Sequence, residues 1–223
     1  MSVPGIEAFC VMLHRLSYAS RLCMMSHLYG RSPAVLSRMV NRMIELVYLQ
    51  VQPILHWDHR CLTVGKLCEY AEAVATNGGD DVQVGEGIFG FIDGTVRPIA
   101  RPLFNQEIFY SGWKRIHAIK FQGIMAPDGI MMHVSGPYTA KHHDMWMLRR
   151  SGIEATLTAR IGLHHGLRVY GDAGYVGNHP WIVHAARNSC NNANLARTNY
   201  LMAKSRICIE WGYGIITKEV FYI

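Results

Sequence analysis

The sequence lacks most of what would place it in a membrane or an oxidising compartment. No stretch reaches about 18 uninterrupted apolar residues, and the N-terminus has neither the charged start nor the continuous apolar run of a signal peptide. Cysteine is sparse: Cys10, Cys23, Cys61, Cys68, Cys190 and Cys208 are scattered, with no Cys-x-x-Cys pair. That spacing suits neither a zinc site nor a dense disulfide framework, so they read as buried free thiols in a reducing compartment. Internal repeats and low-complexity tracts are missing too. Negative charge is in deficit, with 16 Asp+Glu against 22 Lys+Arg and a formal charge of +6. These shortages describe a soluble intracellular chain, with no membrane partner and a surface suited to a polyanion such as DNA.

What is present is apolar. Hydrophobic residues make up 50% of the 223, which argues against global disorder and allows one ordinary domain with a small accessory one. Residues 4–76 carry helical spacing. Ile6, Phe9, Cys10 and Leu13, then Leu22, Met25 and Leu28, recur every three to four positions. Gly30 breaks the pattern, and Ser32-Pro33 starts a capped helix whose apolar stripe runs from Val35 to Leu49 and closes near Pro53. Helix, Tyr29-Gly30-Arg31 turn and capped helix outline a helix-turn-helix in which Arg31, Ser32, Ser37, Arg38 and Arg42 could meet phosphate or base edges. A plain helical bundle gives the same spacing, and few cations lie on the second helix.

Residues 62–75 predict another helix, and the polar stretch 80–86 predicts a connector. From Ile88 the period shortens. Residues 116–125 alternate in part, Pro127-Asp128-Gly129 signals a tight turn, and residues 130–136 return, which predicts a β-hairpin. Residues 167–170 predict a further strand of parallel type, and 193–211 a late helix. The outline is α/β.

Three carboxylates sit on largely apolar elements. Asp93 lies in Gly90-Phe91-Ile92-Asp93-Gly94-Thr95, where Phe91 and Ile92 read as the last buried residues of a strand that Gly94 lets the chain leave. Asp172 lies in Tyr170-Gly171-Asp172-Ala173-Gly174, and Glu210 in Ile207-Cys208-Ile209-Glu210-Trp211. Phosphoryl transfer to or from DNA needs a nucleophile and a leaving oxygen held in line, their charge offset by ions about 3.5–4 Å apart. Two or three carboxylates are a sufficient cage for Mg²⁺, which prefers hard oxygen ligands. Arg97, Arg101, Lys114, Arg115 and Lys120 place cations close in sequence to Asp93 for the substrate backbone.

Each acid has a plainer reading. Asp93 and Asp172 could make Asx turns, Glu210 could be a surface residue of an amphipathic helix, and Asp144 reads as an N-cap. His142-His143-Asp144 could instead bind a transition metal, though no matching cluster accompanies it. Gly85-Glu86-Gly87-Ile88-Phe89-Gly90 matches the dinucleotide-binding fingerprint as a string, but it leads into a strand-like run and not a helix, so the match reads as accidental.

Taken in order, several blocks resemble the PIF/Harbinger-type transposase nucleases, the DDE superfamily endonucleases. They are residues 90–99, Tyr110-Ser111-Gly112-Trp113-Lys114-Arg115-Ile116-His117, Pro127-Asp128-Gly129, His143-Asp144, residues 170–175 and residues 206–214. The resemblance implies an RNase H-like fold over 88–223, preceded by an all-α, helix-turn-helix-like region over 1–79. It implies a metal-dependent DNA nuclease using Mg²⁺ or Mn²⁺, with Asp93, Asp172 and Glu210 as catalytic metal-binding acids and Asp144 as an accompanying metal-binding acid. Nuclear or nuclear and cytoplasmic localisation, a homodimer and a separate Myb-like DNA-binding partner belong to the same expectation. Such domains usually continue further past the final acid than the thirteen residues seen here. The alternative is therefore a domesticated or truncated derivative that binds DNA or protein without cleaving.

Overall fold

The computed structural model describes residues 3–77, 87–162, 166–177, 179–186 and 193–220. Two compact units divide the chain, Met1–Pro53 with Gly214–Ile223, and Ile54–Tyr213. Residues 80–86, expected as a connector, lie outside the described residues, as does Cys190. Cys10, Cys23 and Cys61 are exposed, which corrects the expectation of buried thiols. Cys10 shares an exposed face of its helix with Ile6, Phe9 and Leu13, while Val11 and Met12 face inward.

In the first unit, α1 (Gly5–Ser17), α2 (Leu22–Tyr29) and most of α3 (Pro33–His56) enclose a small core of Val11, Met25, Leu36, Met39 and Val40. Gly30, with φ 62°, ends α2 and donates its N–H to the Ser26 carbonyl. Only glycine takes that left-handed cap at no steric cost. Ser32 caps α3, its Oγ accepting from the Val35 N–H at 3.4 Å. The helix does not close near Pro53 but runs through it to His56. Proline removes one intrahelical bond; the last turn is retained where the His133 ring donates Nδ1–H to the His56 carbonyl at 2.8 Å.

The second unit is built on a mixed sheet whose order is β2-β3-β1-β5-β6, with β4 also paired to β3. Here β1 is Ile88–Pro98, β2 Tyr110–Ser111, β3 Ile116–Met125, β4 Met131–Thr139, β5 Arg168–Gly171 and β6 Ile182–His184. Strand β3 is antiparallel to both β1 and β4, and β5 and β6 run parallel to β1. The expected hairpin is the β3–β4 pair, turning at Gly129 with φ 90°. Helices α4 (Val64–Asn77), α6 (Asp144–Ser151) and α7 (Ile153–Arg160) join one core with the sheet through Leu67, Tyr70, Leu148, Leu157, Phe89, Ile92 and Val169. A second cluster gathers Phe91, Met125 and Tyr170 with Met202 and Ile209 of α8 (Ala193–Glu219). The short α5 spans Gln106–Phe109. Among the described residues no helix is long and apolar enough to cross a membrane.

Candidate active site

Asp93 lies inside β1, not at its end. The strand continues to Pro98, with Asp93 opposite Gly123 and Gly94 opposite Gln122 in β3. What ends at Ile92 is full burial. Gly94 is needed for close approach: a Cβ there would stand 2.8 Å from Asp144 Oδ1 and 3.1 Å from Met147 Cε. Asp172 follows β5, the parallel neighbour of β1, so two adjacent strands carry an acid each. Both acids accept a local backbone N–H at 2.8 Å, Asp93 from Gly94 and Asp172 from Gly174.

Asp144 is the first residue of α6 and not its N-cap, a position that belongs to His143. Its carboxylate lies between Gly94 of β1 and Gly174. A Cβ on Gly174 would stand 2.9 Å from Asp172 Oδ1 and 3.0 Å from Asp144 Oδ2. Asp93, Asp144 and Asp172 thus line one open cavity of about 1070 Å³, which also carries Lys114, Lys120, Lys141, Trp113 and His143.

Glu210 stands apart from that lining. It is on α8 with its side chain 58% exposed, and Arg206, one turn earlier, connects it to the other acids. Arg206 Nη1 donates to Asp93 Oδ2 at 2.6 Å, and Nη2 lies 3.4 Å from Glu210 Oε1. Tyr213, one turn later, donates its hydroxyl to the Asp93 carbonyl at 3.0 Å. Gly212 lets this stretch of helix rest against the sheet, since a Cβ there would collide with Met125.

Burial pushes the Asp93 carboxyl up to about 6; Arg206 and the Gly94 N–H pull against that, while Asp172 and Asp144 add to it. Asp144 is also raised, by burial first, with Lys120 opposing and Asp172 adding. The pocket therefore holds more carboxylate charge than its surroundings stabilise.

The cations divide into engaged and exposed ones. Lys120 donates Nζ to the His142 carbonyl at 2.6 Å. Arg97 donates to the Tyr213 carbonyl at 3.3 Å and lies 5.7 Å from the centre of its ring. Lys114 is exposed, with Nζ 4.3 Å above the ring of Trp113. Arg115 is exposed and adopts a left-handed φ of 55°. In the first unit Arg31 forks onto Glu7 at 2.5 and 2.8 Å, whereas Arg38 is exposed. Arg101 pairs with Gln106, and Arg42 with Glu45. His142 stacks on Trp146 at 3.6 Å, so its ring is not turned to the acids.

Several residues were given no role by the sequence. Arg206 and Tyr213 hold Asp93, and the fully buried Gln122 donates Nε2 to the Asp144 carbonyl at 3.2 Å and to the Tyr175 hydroxyl at 3.0 Å. A buried amide in an apolar strand is the one signal that could have marked Gln122.

Among the described residues no three carboxylate, imidazole or thiol groups close around a common point tightly enough to enclose an ion. The donor set nonetheless suits a hard divalent cation in kind. Its oxygens are carboxylates, their charge is in excess, and two glycines leave the space in which they meet.

No curated protein and no solved structure matches the chain. The sequence profile of the DDE superfamily endonucleases does match, over residues 92–221. That span holds Asp93, Asp144, Asp172, Arg206 and Glu210 and exceeds half of the chain, so the protein belongs to the DDE superfamily endonuclease family.

Proposed function

We propose that the protein is a metal-dependent DNA endonuclease of the PIF/Harbinger transposase type, with an RNase H-like domain over 88–223. The order β4-β3-β1-β5-β6, antiparallel on one side of β1 and parallel on the other, supports the RNase H-like reading. The observation that carries the function is the meeting of Asp93, Asp144 and Asp172 in one lysine-edged cavity, with Glu210 tied to Asp93 through Arg206. Asp93, Asp172 and Glu210 are the catalytic acids, and together with Asp144 they hold Mg²⁺ or Mn²⁺. Such an ion, when bound, offsets charge on the attacking and leaving oxygens of an in-line displacement. The Gly94 and Gly174 N–H groups keep two of the carboxylates oriented. Lys114 and Lys120 meet DNA phosphates from the same cavity, with Arg97 and Arg115 of the same unit, and Arg38 and Arg31 are separate DNA-contact residues of the first unit. The Harbinger reading also carries nuclear action, a homodimer and a separate Myb-like DNA-binding partner.

Supercoiled plasmid incubated with the protein and Mg²⁺ or Mn²⁺ is expected to be nicked, and the Asp93→Asn protein to be silent. Equal nicking by both proteins overturns the proposal. The exposure of Glu210 favours a second reading, a catalytically silent derivative that binds DNA or a protein partner. DNA binding that persists in chelator, with no cleavage under any divalent ion, supports that reading instead.

A further inference from the structure

Arg206 is oddly placed for a residue of an acid site. Its side chain is only 20% exposed, and its guanidinium spans two of the acids assigned to metal. Asp93 has Oδ1 engaged by the Gly94 N–H and Oδ2 by Arg206, so neither oxygen is without a partner. A charge-assisted bond at 2.6 Å between two largely buried side chains is strong. A guanidinium also has no lone pair, so it cannot serve as a metal ligand. It neutralises the same carboxylate that an ion would need, and two cations repel at one oxygen.

We propose that Arg206 is the resident counter-ion of the acid site: its guanidinium holds Asp93 and Glu210 until a divalent cation entering at Asp93 displaces it. This rests on the metal-site reading above and adds a control on ion affinity. Arg206 is a positioning residue that sets how readily the acids accept an ion. Because its length and fork match two carboxylates at once, lysine replaces it only in part.

The test uses the full chain and Mn²⁺ alone, with affinity read by calorimetry and by the spin signal of free Mn²⁺. Arg206→Gln is expected to bind Mn²⁺ about tenfold tighter than the unaltered protein, about 1.4 kcal/mol, and Arg206→Lys less than that. Arg206→Gln should also melt lower in chelator and recover with Mn²⁺. In the unaltered protein the Arg206 Nε–H resonance should shift as Mg²⁺ is added. A purely structural role predicts equal melting losses with and without Mn²⁺ and no gain in affinity. Intact Mn²⁺ binding by the unaltered protein with no gain in Arg206→Gln overturns the Arg206 inference alone. Absence of Mn²⁺ binding in both proteins overturns it together with the metal-site reading. Should Arg206→Gln fail to fold, the resonance decides: one that stays in place at saturating Mg²⁺ overturns the inference.

Discussion

Asp93 and Glu210 share one guanidinium, yet they are held by different regions in different ways. Asp93 is locked into a central strand, paired on one side with β3, and its side chain is 21% exposed. Glu210 sits on a helix at 58% exposure, and its position depends on how α8 rests on the sheet. An acid on a strand is placed by backbone register, which a side-chain change hardly moves. An acid on a helix is placed by packing and by its partner, so it is the more adjustable of the two.

The contrast breaks most sharply in ion binding. Asp172→Asn should weaken Mn²⁺ binding by about 100-fold or more, beyond the roughly 10–100-fold that an outer partner costs, whereas Glu210→Gln should cost less than about tenfold. Both should depress plasmid nicking. Equal losses of Mn²⁺ affinity in calorimetry would mean that the helix acid is as firmly placed as the strand acids.

Proton linkage offers the next measure. Asp93 is raised from 3.8 to about 6, so between those values the folded chain holds a proton that the unfolded chain has lost. Its contribution to stability therefore grows as pH falls through that window, by about 3 kcal/mol. The fully buried His133 is pushed down from 6.5 to about 4 by burial. There the unfolded chain takes the proton first, and stability falls over nearly the same window, by about 3 kcal/mol. The two slopes oppose, so the unaltered protein should show a shallow profile in chelator. Urea melts of Asp93→Asn from pH 6.5 to 4 should uncover the steep His133 loss; an unchanged profile would contradict both shifts.

A smaller effect tests the seat of α8. Gly212→Ala forces a methyl into Met125 and should cost about 1–3 kcal/mol by overpacking. Nicking should fall while Mn²⁺ affinity holds, because the shift reaches Glu210 and leaves the cavity acids in register. A loss of affinity equal to the loss of nicking would erase the distinction between the two regions.

Much of the fold could be read from local pattern. The Ser32-Pro33 start, the Gly30 stop and the Pro127-Asp128-Gly129 turn each carry their own backbone chemistry, and each appears where its residues predict. Pro53 misled, because a proline one turn from a helix end costs a bond without forcing a stop. Gly94 misled in the same way. It reads locally as a strand exit, but its lack of a Cβ serves Asp144, a residue fifty positions away.

The sequence by itself determined which groups are candidates for the chemistry: carboxylates bounded by apolar runs, glycines beside two of them and an excess of base. Those are properties of side chains and near neighbours. Only the tertiary structure decided that Asp144 joins Asp93 and Asp172 in the cavity, that Gln122 braces it, and that Arg206 stands between Asp93 and Glu210. Charge and burial depend on what strand pairing and helix packing bring within a few ångströms, and no spacing along the chain records that distance.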